Sequence, residues 1–117
     1  MSKTLIFVNR TIGCPLATLA RRVLEDYGVP FTERFYDTEA DVKSRLLQWT
    51  GFLSVPTIYV ADSDLNQPET PPTPLEHGAS PRGIDRGSMI TEPSADQLLN
   101  WLIKHGFVAA ADTSAAG

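Results

Sequence analysis

Short apolar runs alternate with amphipathic helical patterns in the first half of this 117-residue chain, and few folds accommodate that alternation. A run of strand formers at residues 5–8 predicts a buried strand, and the alternating residues 31–37 predict a second one. Between them, apolar residues recur at the helical spacing i, i+3, i+4, i+7 and i+8. They are Leu16, Leu19, Ala20, Val23 and Leu24. Two strands joined by such a helix are expected to lie parallel to each other.

A second helix and a third strand continue the pattern. The helix is predicted from about residue 38 to 49, with Thr38 and Asp41 as a capping-box-like start. Residues 57–60 are all strand formers, and Pro56 precedes them at a position where a strand tolerates proline. The pattern is now strand, helix, strand, helix, strand.

The last part of the chain adds a short strand and the best-marked helix. Residues 88–91 predict the strand, which can pair with the third one as a hairpin. Ser94 is the expected N-cap of the final helix, and Gln97 stands where a capping box needs it. The elements together predict an α/β fold with a central four-stranded mixed sheet flanked by three helices.

A proline-rich segment separates the third and fourth strands. Residues 62–88 contain five prolines and almost no apolar periodicity, so they predict a long loop rather than a second domain. We expect one domain over residues 1–108, in which residues 63–86 are a mobile loop insertion that contributes little to stability. Residues 109–117 are expected to form a disordered tail.

Composition restricts the class of protein. The net charge is −4, and no basic stripe is present, which argues against nucleic acid as a partner. No apolar run has the length of a secretory h-region or a membrane span, so we expect no membrane partner and a cytoplasmic location. The single cysteine, Cys14, excludes an internal disulfide framework.

Cys14 falls at the point where the first strand pattern ends and the first helical pattern begins. Unpaired N–H groups and the helix dipole favour an anion there, and a thiolate is the form of cysteine that attacks disulfides and binds metals. Arg10 lies four residues earlier and adds positive charge. An inert cysteine packed as a small apolar residue is the alternative, and Cys14 alone leaves both interpretations open.

Cys14 and Pro56 together carry a resemblance to a known family. A strand, a turn, Cys-Pro and a helix, followed about forty residues later by "SVPTIYV", resemble the glutaredoxin branch of the thioredoxin fold. The segment "LLQWTGFLSVPTIYV" is similar to the glutaredoxin segment that leads into a cis-proline turn. The resemblance covers residues 4–60 well and 88–105 loosely. It implies a thioredoxin-like fold, a cis Val55–Pro56 bond and a Pro56 that packs near the sulfur of Cys14.

The resemblance also implies roles for individual residues. Cys14 corresponds to the nucleophile of the family's Cys-Pro-x-Cys motif, and Ala17 replaces the second cysteine, which implies a monothiol protein. The implied substrate-binding residues are Arg10, Pro15, Val55, Pro56, Ser94 and Asp96. Among them, Val55 supplies a main-chain contact to glutathione, and Ser94 and Asp96 stand where the family binds the γ-glutamyl carboxylate. Thr91 and Glu92 replace the usual Gly-Gly pair, and Glu92 would repel that carboxylate.

Three functions remain open from the sequence. The first is thiol–disulfide exchange through Cys14, with glutathione or another low-molecular-weight thiol as co-substrate and with small thiols and thiol-modified proteins as partners. The second is a binding module that holds a 2Fe-2S cluster between two subunits, with Cys14 and an external thiol as ligands. The third is a redox-inert interaction domain whose proline-rich loop binds a protein. No other metal-ligand spacing is present.

Overall fold

The protein is an α/β domain built on one four-stranded sheet. The computed structural model describes residues 4–61, 67–76 and 78–109. Its elements are β1 (Thr4–Asn9), α1 (Pro15–Asp26), β2 (Thr32–Phe35), α2 (Ala40–Thr50), β3 (Thr57–Ala61), β4 (Met89–Thr91) and α3 (Ala95–Lys104). The strand order is β2-β1-β3-β4; β1 and β2 are parallel, and the other two pairs are antiparallel. This is the predicted mixed sheet of a thioredoxin-like fold, with three helices.

The sheet buries a hydrophobic cluster on each face. Successive residues of β1 point to opposite faces, so Leu5 and Phe7 join one cluster while Ile6 and Val8 join the other. The first cluster includes residues of α1 and α3, and the second includes residues of α2. Cys14 packs against both clusters, which places it where the two halves of the core meet.

The N-terminal ends of α3 and α2 differ in how well the sequence predicted their capping. The capping box of α3 is confirmed, because the Ser94 hydroxyl accepts from the Gln97 N–H and the Gln97 side chain accepts from the Ser94 N–H. The predicted Thr38 start of α2 is wrong: Glu39 is the N-cap and makes no side-chain cap hydrogen bond. The Glu39 carboxylate instead accepts hydrogen bonds from Arg34 and from the Phe35 N–H at 3.2 Å.

The proline-rich loop makes hydrogen bonds to the core within residues 67–76 and 78–86, while its mobility and its contribution to stability stay predictions. The Glu69 N–H donates to the Val60 carbonyl at 2.7 Å, and the Ser88 hydroxyl donates to the Thr70 carbonyl at 2.6 Å. Arg86 is 4 % exposed. Hydrogen bonds and the buried cation of Arg86 attach this segment to the core. Neither kind of contact requires regularly spaced apolar residues, so the sequence pattern did not indicate them. The start of the loop and residues 110–117 of the predicted tail lie outside the described residues.

Part of the loop runs beside β4. Single bridges connect Arg82 to Thr91 and Asp85 to Ile90, and the Gly83 N–H donates to the Thr91 carbonyl at 2.7 Å. The loop therefore leaves the far end of β3 and passes along β4 before the chain enters that strand. None of the helices in the described ranges combines the length and apolarity that crossing a lipid bilayer requires.

Candidate functional site

Cys14 lies at the junction of β1 and α1. It is the N-cap residue of α1, with extended backbone angles, and Pro15 begins the helix. The thiol is partly exposed, and its Sγ lies 3.9 Å from the Val55 carbonyl oxygen. The amides of Leu16 and Ala17 belong to the first turn, where no carbonyl of the same helix is available to them. The sulfur therefore sits where a helix terminus stabilises negative charge.

The turn before Cys14 is fixed by a residue that the sequence analysis did not select. Asp37 accepts from the Thr11 N–H through both carboxylate oxygens, at 3.2 and 3.1 Å, and also from the Thr11 hydroxyl. The hydrogen bond from the Thr11 side chain lowers the pKa of Asp37 below its ordinary value, and the charge of Arg10 adds to this. Asp37 follows β2, which runs parallel to β1, so the ends of the two strands lie side by side. Only a prediction of this strand pairing could have indicated the contact between Asp37 and Thr11.

The segment before β3 forms the opposite side of the site. The Val55–Pro56 peptide bond is cis, and both residues are buried. The Pro56 carbonyl accepts from the Glu92 N–H at 2.7 Å, which joins this segment to the end of β4. Cys14, Val55 and Glu92 therefore come from three separate parts of the chain and meet at one end of the sheet.

A cavity of about 340 Å³ opens beside the thiol. Its lining residues are Arg10, Cys14, Phe52, Leu53, Ser54, Val55, Ser80 and Glu92. Of the predicted site residues, the cavity brings together Arg10, Cys14 and Val55, while Pro15 is exposed beside Cys14 and Pro56 is buried beneath Val55. Sequence reasoning missed Phe52 and Leu53, which are 47 % and 38 % exposed and give the cavity an apolar side.

Ser94 and Asp96 do not line this cavity. The Ser94 hydroxyl and N–H are both used by the capping box of α3, and Asp96 is exposed in the first turn of that helix. The start of α3 therefore lies outside the cavity that holds Cys14, and the carboxylate site that the resemblance implied there stays a prediction.

Glu92 gives the cavity a negative charge in addition to the positive charge of Arg10. It is a non-glycine residue with a positive φ of 46°, at the place where the resemblance expected glycine. Its carboxylate forms an ion pair with Arg82 of the loop at 3.3 Å, and only 16 % of its side chain is exposed. Ser80 comes from the same loop, so the loop contributes both a wall residue and a counter-charge.

The described side chains do not form a metal centre by themselves, and a cluster shared between two subunits is a separate case. Among residues 4–61, 67–76 and 78–109, no group of three or more His, Cys, Asp or Glu side chains is placed to hold a metal ion. An iron–sulfur cluster takes four protein or external ligands, usually thiolates, and this chain offers Cys14 alone. The residues present therefore do not form a cluster site within one chain.

Comparison with known proteins agrees with the geometry. The family model described as Glutaredoxin matches residues 6–65, a range that includes Cys14, Val55 and Pro56. Comparisons with curated proteins and with solved structures gave no significant match. The family match supports a thiol–disulfide oxidoreductase type of function in general. Because the match spans more than half of the chain and the sheet has the thioredoxin-like order, this protein belongs to the glutaredoxin family.

Proposed function

We propose that the protein exchanges thiols and disulfides by a monothiol mechanism, with Cys14 as the nucleophile and glutathione or another low-molecular-weight thiol as co-substrate. The observation that carries the proposal is the position of Cys14, partly exposed at the N-cap of α1 and on the wall of a cavity. The chain contains no second cysteine to resolve an intermediate. Turnover therefore depends on a thiol from solution.

The reaction takes two exchanges. The Cys14 thiolate attacks the glutathione sulfur of a mixed disulfide; the bond between that sulfur and the substrate sulfur breaks, and the substrate leaves as a thiolate that takes up a proton. A second glutathione thiolate then attacks the glutathione sulfur bound to Cys14. This step releases oxidised glutathione and restores the Cys14 thiolate. One turnover therefore consumes one glutathione thiol from solution, and the other half of the oxidised glutathione comes from the mixed disulfide.

Binding rests on a few groups around the thiol. Arg10 supplies a positive charge for a ligand carboxylate, and an extended peptide can pair with the main chain at Val55. Phe52 and Leu53 offer apolar contact. Glu92 opposes a second carboxylate, although Arg82 offsets part of its charge. We therefore expect weak affinity for glutathione and a low rate.

The test is reduction of a small glutathione mixed disulfide, with glutathione as the electron donor. Wild-type protein should turn over, and Cys14→Ser should abolish the activity because no other thiol exists in the chain. Mass spectrometry after excess oxidised glutathione should show one glutathione per wild-type chain and none on Cys14→Ser. A wild-type rate in Cys14→Ser, or no adduct on the wild type, would rule out the proposal and favour a binding module.

A further inference from the structure

A second cavity, of about 490 Å³, lies between the C-terminal end of α2 and the loop. Its wall includes Trp49, Phe52, Leu75 and Arg86. Phe52 also lines the Cys14 cavity, so the two cavities are neighbours, but the thiol is not part of the second one. The size is within the range of sites that bind small molecules.

Arg86 is the unusual feature of this cavity, because it is a buried cation that none of the described carboxylates pairs with. It is 4 % exposed and makes no ion pair with the carboxylates that the structure describes. Its Nε donates to the Thr73 carbonyl at 2.8 Å, and its Nη1 donates to the Trp49 carbonyl at 2.6 Å. Trp49 lies in the last turn of α2, so the negative end of that helix dipole offsets part of the charge.

These contacts leave Nη2 of Arg86 with two N–H groups and no acceptor among the described residues. Nη2 has no hydrogen-bond partner among them, yet it is not fully buried: within the described ranges, Asn9 Oδ1 is the only fully buried side-chain polar atom without a partner. Nη2 is therefore accessible to solvent. Arg86 lines the cavity, and Nη2 is the guanidinium nitrogen that remains available to a ligand bound there. Burial also lowers the pKa of Arg86, because desolvation disfavours the charged guanidinium.

We propose that this cavity binds a small organic carboxylate with an apolar or aromatic body. The carboxylate would accept a charge-assisted hydrogen bond from Nη2 of Arg86, and the body would lie against Trp49, Phe52 and Leu75. Glu76 is the one acidic side chain of the described lining; it is exposed and opposes ligands with more than one negative charge. A monoanion with an apolar body therefore fits better than inorganic phosphate.

Two-dimensional NMR of the reduced full chain tests this with phenylacetate and its neutral analogue phenylacetamide. Phenylacetate should shift the Arg86 Nε–H resonance and the Gly51 and Gly78 amides, which belong to the cavity wall. Phenylacetamide should bind at least about tenfold more weakly, because it lacks the charged hydrogen bond. Equal binding of the two compounds, no shift with either, or tighter binding of inorganic phosphate would overturn the proposal.

A pair of variants tests the role of charge without removing Arg86. Ala79 is half-buried in the cavity wall, so Ala79→Glu places a carboxylate near Arg86 and should weaken phenylacetate binding at least about tenfold. Ala79→Gln is the control, because glutamine has nearly the same size as glutamate but no charge. It should bind phenylacetate within about threefold of the wild-type affinity. Unchanged binding in Ala79→Glu, or equal loss in both variants, would contradict the assignment. None of these measurements depends on activity of Cys14.

Discussion

Glu92 shows how one residue affects both the backbone and the charge of the thiol cavity. A positive φ of 46° is unfavourable for a side chain with a Cβ, and it persists because the Glu92 N–H is bonded to the Pro56 carbonyl. Glu92 also lines the cavity beside Cys14, so its negative charge lies close to the space that an anionic substrate would use. The backbone conformation therefore disfavours a glutamate at position 92, and its charge disfavours an anionic substrate.

Glu92→Gly should improve the site on both counts. The variant relieves the positive φ, and it removes a like charge from the cavity, which should raise the rate on a glutathione mixed disulfide about fivefold. Glu92→Gln is the matched control, because it removes the charge and keeps the backbone cost. Glu92→Gly should also raise the melting temperature, because glycine adopts a positive φ without strain. Glu92→Gln should give most of the rate increase and no gain in melting temperature. Unchanged rates in both variants would show that Glu92 does not oppose the substrate.

Ala17→Cys tests whether the helix retains the geometry of a dithiol site. Ala17 is 2 % exposed and follows Cys14 by three residues, so a sulfur at this position lies one turn away and faces the core. After treatment with oxidised glutathione, the variant should lose its glutathione adduct and form an internal disulfide. Thr18→Cys is the control: Thr18 is exposed, and that variant should keep the adduct. Adducts that persist in both variants would contradict the prediction.

At the scale of elements, the turn between β1 and α1 depends on a carboxylate from the end of β2. Asp37→Asn removes the negative charge of the group that accepts hydrogen bonds from Thr11, so the turn should loosen and the rate at which Cys14 is alkylated should change.

The same carboxylate should make stability depend on pH. The folded state lowers the pKa of Asp37 below 3.8, so its stabilisation is present above that pH and is lost as the pH falls through the lower folded-state value. Melting temperatures at about pH 6 and about pH 3 should therefore differ less in Asp37→Asn than in wild type. An identical pH dependence would contradict this role.

The sequence predicted the elements better than the contacts between them. Local signals were sufficient for the buried strand at residues 5–8, the N-cap at Ser94 and the Cys14 junction, because each depends on neighbours in the chain. The hydrogen bonds of Asp37 and Arg86 link residues far apart, and no local pattern encodes them. Leu19 shows the same limit: it fits the helical stripe of α1 but is 39 % exposed, because the sheet reaches only part of that stripe.

At the scale of the whole molecule, Arg86 connects the loop to α2. Arg86→Met keeps a long side chain but leaves the Thr73 and Trp49 carbonyls without their donors. Each lost partner costs about 1–3 kcal/mol, offset in part by removal of a buried charge, so the melting temperature should fall by about 10 °C. Arg82→Met is the control, since Arg82 is exposed and its ion pair contributes little. Equal small shifts in the two variants would support the view of a loop that contributes little to stability.

The course of the loop beside β4 has a consequence for how copies of the protein meet. A strand at the edge of a sheet presents unpaired N–H and C=O groups, which form a template for pairing with a strand of another molecule. The bridges from Arg82 and Asp85 occupy this edge of β4, and the three-residue strand is short as well. The loop therefore leaves little of the β4 edge available for pairing with a strand of another molecule, and β2 is the edge strand on the other side of the sheet.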